Sequence, residues 1–289
     1  MNGMRGATVI ELLVASAIML AGSAAALTLV TQATTHSPRW NEAADLHQRM
    51  RVAVDAIARH VALAGGGPPV AALGPTFPPV EPRRRSSFLL SDTALTVRHV
   101  PDGAAWTRLT DDLPLGATSA AIEIHAGCAA GIDACGFVGP LDAALFDSEG
   151  NWHLLTVEST GPATLAVAER VAGRTATFGA GATLVEAQET SLYFDRATST
   201  LRQEGPGQGN FPVVDHVAAL VFEYLDDRLE TVPLTALSDG PLCGSGALAY
   251  DCDLRRIRTV RAALAIEATH PETRDLRTVI DITIRRLPR

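Results

Sequence analysis

The sequence predicts an α+β protein: a long N-terminal helix, apolar in its first half, packed on a domain of mainly antiparallel strands. Residues 7–30 carry only one charge, Glu11, and are long enough to cross a bilayer core, which takes roughly 20 apolar residues. In residues 40–64 apolar side chains recur at spacings of three and four, the period of a helix. After Phe88 apolar and polar residues alternate, as they do in half-buried strands.

Composition is consistent with a folded, acidic protein. The 289 residues are enough for one large domain or two small ones. Because 47% of them are hydrophobic, the composition argues against global disorder. The net charge of −8 argues against general nucleic-acid binding. We predict four regions: 1–6 as a leader, 7–64 as the helix with 7–30 crossing the membrane, 65–87 as a linker loop rich in Pro and Gly, and 88–289 as a β-rich globular domain.

Glu11 is the only charged residue between Arg5 and Arg39. A charge deep in a membrane helix costs about 2.5–3.5 kcal/mol, and such residues usually have a function and a partner. In one interpretation Glu11 lies among the lipid headgroups at little cost. In the other, cleavage after Gly6 makes Ala7 a new N-terminus, whose amine neutralises Glu11 of a neighbouring subunit in an assembly.

Gly6 and the following A-T-V-I-E-L-L-V-A resemble the processing motif of type IV pilins and type II secretion pseudopilins. In that family a prepilin peptidase cuts after the glycine and methylates the new terminus. By this resemblance Gly6 is the cleavage residue, Ala7 the N-methylated terminus and Glu11 the filament-assembly carboxylate. Two positions depart from the family: Phe is usual where Ala7 stands, and a leader with only Arg5 is less basic than most.

The resemblance implies a pilin-like fold and a structural role, with no enzymatic activity and no cofactor. Segment 213–226 adds to it, because an apolar strand ending in aromatic and acidic residues resembles one in the larger minor pilins and minor pseudopilins. The implied partners are a prepilin peptidase, other pilins or pseudopilins, and the assembly platform. The implied location is a single pass through the inner membrane with the domain in the periplasm, then a filament or its tip. Pilus and secretion system both remain open.

A rival interpretation of the N-terminus is a secretory signal, with Arg5, an apolar run and a cleavage site near residues 24–26. The apolar run is long for a signal, and Glu11 interrupts it. Arg5, as the only flanking charge, favours a cytoplasmic N-terminus.

Four cysteines form two close pairs in the sequence. Because the implied location is outside the cytoplasm, we predict disulfides between Cys128 and Cys135 and between Cys243 and Cys252. Each would contribute roughly 2–3 kcal/mol of stability. The alternative is one metal site built from all four thiolates, but neither pair has the tight C-x2-4-C spacing of zinc motifs. We therefore predict no metal.

Along the helix, Pro38 predicts a kink or interruption. An apolar stripe at helical spacing predicts packing onto the chain's own domain: Leu46, Met50, Ala53, Ile57 and Val61. The Pro-rich stretch to about Arg85 predicts an irregular loop. Its cluster Arg83-Arg84-Arg85 is interpreted as solvated; in the alternative function, a membrane-anchored or filament-tip binding module, it contacts DNA, anionic lipid or a secreted substrate.

Period-two patterns predict strands at 95–100, 121–125, 152–158, 217–224, 260–266 and 280–284, and a hairpin of 191–195 and 200–204 joined by four residues. No catalytic constellation is present in the sequence. The eight histidines form no H-E-x-x-H motif, and His99 and His125 are interpreted as simple strand residues. Asp239, Asp251 and Asp253 are candidate oxygen ligands for calcium, but their spacing fits no EF-hand loop.

Overall fold

The structure is a computed structural model. It describes residues 9–66, 78–86, 89–126, 128, 133–148, 151–169, 177–205, 209–240, 242–243, 250–270 and 273–284. Within these ranges the chain forms a long N-terminal helix followed by a domain of antiparallel sheets, so the coarse α+β prediction is confirmed.

Helix α1 (Val9–Leu63) is continuous over 55 residues. It runs through Pro38, so of the two predicted alternatives the interruption is wrong, and the kink stays a prediction. A proline removes one N–H donor and crowds one turn, while the hydrogen bonds of the flanking turns remain available to continue the helix. The helix ends within one residue of the predicted boundary. Gly65 then takes a φ of +67°, the left-handed conformation that commonly follows a helix, and its N–H donates to the carbonyl of Arg98 at 2.9 Å.

The second half of α1 packs on the domain through the predicted stripe. Its five members are all buried: Leu46, Met50, Ala53, Ile57 and Val61. They join the main hydrophobic core, so packing of this helical face onto the chain's own domain is confirmed. On another face Arg59 pairs with Asp55, four residues earlier in the helix, at 2.6 Å.

Strands make up most of the remaining regular structure. In chain order they are β1 (Val80–Ser86), β2 (Leu89–His99), β3 (Trp106–Arg108), β4 (Ser119–Ala121), β5 (Leu141–Phe146), β6 (Trp152–Gly161), β7 (Thr164–Glu169), β8 (Thr183–Glu186), β9 (Gln188–Asp195), β10 (Thr200–Gly205), β11 (Gly209–Val214), β12 (Val217–Leu225), β13 (Thr231–Val232), β14 (Leu242–Cys243), β15 (Tyr250–Asp251), β16 (Thr259–Ile266) and β17 (Leu276–Thr283).

The strands form three larger sheets and a two-stranded ribbon of β14 and β15. One sheet has the order β1-β2-β9-β10-β11, a second β3-β8-β5-β6-β7-β4, and a third β13-β12-β16-β17. All the strand pairs described are antiparallel. The predicted hairpin is β9 and β10, with Asp195 opposite Thr200, and the predicted strands at 217–224 and 260–266 are β12 and β16.

The prediction of an irregular loop up to about Arg85 is wrong from Val80 onward, where strand β1 begins. It pairs with β2, with Val80 opposite Val97 and Pro82 opposite Leu95. Pro82 suggested a loop because proline donates no backbone hydrogen bond. However, β1 lies at the edge of its sheet and pairs on one side only, which is where sheets accept proline. Side chains 83–85 lie outside the described residues.

The strand predicted at 121–125 is largely wrong. Strand β4 ends at Ala121, and Ile122 makes only an isolated bridge with Leu109. The carbonyl of Glu123 accepts a hydrogen bond from the Thr107 hydroxyl, which is a side-chain donor and not the backbone N–H of a paired strand. The predicted strand overlaps β4 only at Ala121, which pairs with Thr164, the first residue of β7.

Two hydrophobic cores meet at the six-stranded sheet. Ala144, Leu154 and Val185 on one face join the core beneath α1. Their neighbours Leu145 and Leu155 point to the other face and join a second, smaller core. A strand buried on both faces lacks the polar alternation of a half-buried one, which explains the continuous burial of β6 from Trp152 to Leu155.

Candidate functional site: the apolar N-terminal helix

The first half of α1 lies outside both cores. The window Val9–Gln32 is 24 residues long, is apolar enough to cross a membrane, and is not buried anywhere along its length. Large apolar side chains of this window are solvent-exposed, with Ile10 72%, Leu20 74% and Leu29 67% exposed. A continuous apolar surface of this extent indicates a membrane or a partner surface in contact with it. Single-pass anchoring is compatible with this helix.

Hydroxyl groups within this window bond to the helix itself. The Ser16 hydroxyl donates to the carbonyl of Leu12 at 2.7 Å, and that of Thr28 to the carbonyl of Ala25 at 2.7 Å. A buried or lipid-exposed hydroxyl is costly only when it has no hydrogen bond. These two side chains therefore suit an apolar environment without a partner from another chain.

Glu11 lies in the first turn of α1 and is exposed. A carboxylate is favourable at a helix N-terminus because the first backbone N–H groups carry partial positive charge. The other two predicted processing residues, Gly6 and Ala7, lie outside the described residues.

Polar contacts fix the second half of α1 to the loops of the third sheet. Both oxygens of Glu42 accept from Thr269, one from its N–H at 2.6 Å and one from its hydroxyl at 2.7 Å. The hydrogen bonds from Thr269 lower the pKa of Glu42. Arg49 pairs with Asp45 at 2.6 Å and with Asp215 at 3.3 Å. The apolar half of α1 therefore continues directly from a second half that packing and polar contacts hold on the domain.

Both predicted cysteine pairs lie at disulfide distance. Cα atoms are 4.5 Å apart for Cys128 and Cys135, and 5.0 Å apart for Cys243 and Cys252. Cys135 belongs to the smaller core, whereas Cys243 packs against the core beneath α1. Because the pairs belong to different cores, a single site built from all four thiolates is not formed.

Two of the three calcium candidates, Asp251 and Asp253, make structural contacts. Asp251 is buried, and its two oxygens accept from the N–H groups of Gly240 at 2.6 Å and Asp253 at 2.9 Å. It caps the 3-10 helix at Cys252–Arg256. Asp253 contacts Arg256 at 3.3 Å, so these carboxylates are engaged with backbone and arginine groups.

One grouping was missed from the sequence. His125, interpreted as a strand residue, lies beside the first disulfide, with Nε2 3.4 Å from Sγ of Cys135. Within the described part of the chain, His125, Cys128 and Cys135 are the group of three His, Cys, Asp or Glu residues close enough to hold one metal ion. The sequence signal was the short spacing of His125-x2-Cys128.

The structure defines the class of this protein. It is an α+β protein with one long helix, whose first half is long and apolar enough to span a membrane and whose second half packs on antiparallel sheets. Comparison with protein families, with curated proteins and with solved structures finds no match.

Proposed function

We propose that this protein is a minor pilin-like structural subunit of a type IV pilus or of a type II secretion pseudopilus. The observation that carries the proposal is the division of one helix into two parts. Val9–Gln32 is unburied and apolar, while the stripe from Leu46 to Val61 is packed on the sheet domain. A subunit built this way presents its apolar half first to a bilayer and later to the same halves of its neighbours.

The proposed mechanism has three steps. A prepilin peptidase cleaves after Gly6 and methylates Ala7. The subunit is held in the inner membrane by the apolar half of α1, with its domain in the periplasm. During assembly the helices pack together, and Glu11 of one subunit pairs with the Ala7 amine of the next. Such a pair gains strength in an apolar setting, because its Coulomb attraction is screened less than in water.

Processing is tested by the intact mass of the protein purified from its membrane. The proposal expects loss of residues 1–6 and gain of one methyl group. Loss of about 25 residues, the usual length of a secretory signal, would contradict it. Gly6→Ala is expected to block maturation; a mature-size product from this variant would also contradict the proposal.

The role of Glu11 is tested with Glu11→Gln and a matched control, Ser16→Ala. Among the residues that the structure describes, the Ser16 hydroxyl bonds within its own helix, so its removal is expected to leave assembly unchanged. Glu11→Gln is expected to insert and be processed normally, because it removes an intramembrane charge costing about 2.5–3.5 kcal/mol. Its share in sheared filaments is expected to fall. An equal share for both variants would refute the pairing role.

A further inference from the structure

We propose that His125, Cys128 and Cys135 form a binding site for a divalent cation of the zinc type when the disulfide between the two cysteines is reduced. This site lies in the globular domain and is independent of the proposed filament role. It is a second state of the same three residues, selected by the redox state of the cysteine pair.

The ligand atoms are already gathered. A ring nitrogen of His125 and the Sγ atoms of Cys128 and Cys135 all lie within 4.8 Å of one another. Nε2 of His125 is 3.4 Å from Sγ of Cys135. Tetrahedral zinc, with Zn–S of about 2.3 Å and Zn–N of about 2.0–2.1 Å, needs its nitrogen and sulfur ligands about 3.5 Å apart. Opening the disulfide therefore requires a movement of the two sulfur atoms of about 2 Å and little movement of the histidine.

Local structure holds each ligand in place. Cys135 is 4% exposed and lies in the smaller core, and both it and Ala134 adopt the left-handed backbone conformation, with φ of 59° and 50°. This turn directs the Cys135 sulfur toward His125. The His125 ring lies 4.1 Å from the Trp106 ring, centroid to centroid, and its Nε2 is 3.1 Å from the Trp106 carbonyl. Of these two contacts, the one between the rings holds His125 next to the sulfur atoms when Nε2 is free to bind a cation.

Charge also favours the site. The backbone N–H of His125 donates to Sγ of Cys128 at 3.2 Å, and such a donor stabilises a thiolate. Two thiolates and one neutral imidazole give a neutral complex with a divalent cation, which suits the apolar surroundings of Cys135. Three protein ligands leave a fourth position for water.

The redox step balances with a dithiol as reductant. The protein disulfide takes two electrons and two protons from the dithiol, which becomes a disulfide, and Cys128 and Cys135 become thiols. Cation binding then releases the two thiol protons. Nε2 of His125 gives up its contact with the Trp106 carbonyl to coordinate the cation, and the ring proton is carried on Nδ1.

Cys243 and Cys252 provide an internal comparison. This pair is also at disulfide distance, with its Cα atoms 5.0 Å apart. In the part of the chain that the structure describes, it belongs to no group of three such ligands. Reduction of this pair is therefore expected to create two thiols without a metal site.

The test uses the full chain in detergent, reduced with a phosphine and titrated with Co²⁺ as a spectroscopic substitute for zinc. Expected are one Co²⁺ per chain, thiolate-to-cobalt charge-transfer absorption, and loss of that absorption when Zn²⁺ is added. The disulfide form is expected to show no such bands. Cys243→Ser/Cys252→Ser is expected to bind as the natural chain does, and His125→Gln to bind about tenfold more weakly or worse.

Absence of charge-transfer bands in the reduced chain would overturn the proposal, as would unchanged affinity in His125→Gln or unchanged binding in Cys128→Ser/Cys135→Ser. Thiol alkylation of the reduced natural chain, read by mass spectrometry, provides a measurement that needs no variant. Zn²⁺ is expected to protect Cys128 and Cys135 and to leave Cys243 and Cys252 reactive. Equal reactivity of both pairs with Zn²⁺ present would likewise overturn it.

Discussion

Arg98 is expected to be the charged residue whose loss most destabilises the domain. It lies on β2 with only 12% of its side chain exposed, and it pairs with Glu189 on β9 at 2.7 Å and with Glu81 on β1 at 3.0 Å. Its guanidinium also lies 6.0 Å from the centre of the Trp152 ring. Burial by itself lowers the pKa of Arg98, but the two carboxylates outweigh this and raise it. One cation therefore connects three strands and the edge of the main core.

Replacing Arg98 with Met removes the guanidinium that contacts two carboxylates, which are 17% and 20% exposed. Removing one partner of a buried ion pair costs about 3–5 kcal/mol. Because these side chains keep some contact with water, we expect the lower end, about 3 kcal/mol. At about 2–4 °C per kcal/mol for a domain of this size, the melting temperature should fall by about 6–12 °C.

The assay is urea and thermal unfolding of the full chain in detergent, followed by tryptophan fluorescence. A triple variant, Arg98→Met/Glu81→Gln/Glu189→Gln, separates the charge effect from the loss of side-chain volume. It removes all three charges, so it is expected to recover most of the stability. A loss below about 1 kcal/mol in the single variant, or an equal loss in both variants, would refute the reasoning.

Two further predictions concern the contact between α1 and the sheets. Ile57→Ala changes a fully buried position of the stripe and is expected to lower the free energy of unfolding in urea by about 2–5 kcal/mol. The control Val52→Ala, at a position 43% exposed, should change it by no more than about 0.5 kcal/mol. Equal effects of the two variants would contradict packing of this face. Burial lowers the pKa of both His60 and His99 below 6.5, so the unfolded chain binds more protons than the folded one as pH falls through 6.5. Stability is therefore expected to be full above about pH 6.5 and to decline toward pH 5, and His60→Gln/His99→Gln should flatten that decline; an identical pH profile in the variant would contradict this.

Local patterns in the sequence were enough to predict the helix, its two halves and most strands. The apolar segment 7–30 follows from composition along one stretch of chain, and the stripe from Leu46 to Val61 follows from the 3.6-residue period. Both depend only on neighbours in the chain. The cysteine pairing was predictable for a similar reason, since the partners are separated by seven and nine residues.

Features that depend on distant neighbours were not predictable in this way. Strand β1 forms despite Pro82 because the fold places it at a sheet edge, and the sequence does not state which strands are edges. Glu189 is 91 residues from Arg98, so only the pairing of β2 with β9 brings their charges together.

The same distinction applies to the candidate sites. Glu11 is identifiable as the one charged residue of segment 7–30 from the printed residues, because that statement concerns composition along one segment. The contact of His125 with a cysteine pair depends on the packing of distant segments. That contact requires the left-handed turn at Ala134 and Cys135 and the Trp106 ring from strand β3. Composition sets which segments are buried, but contacts between segments depend on how the packed sheets orient each side chain.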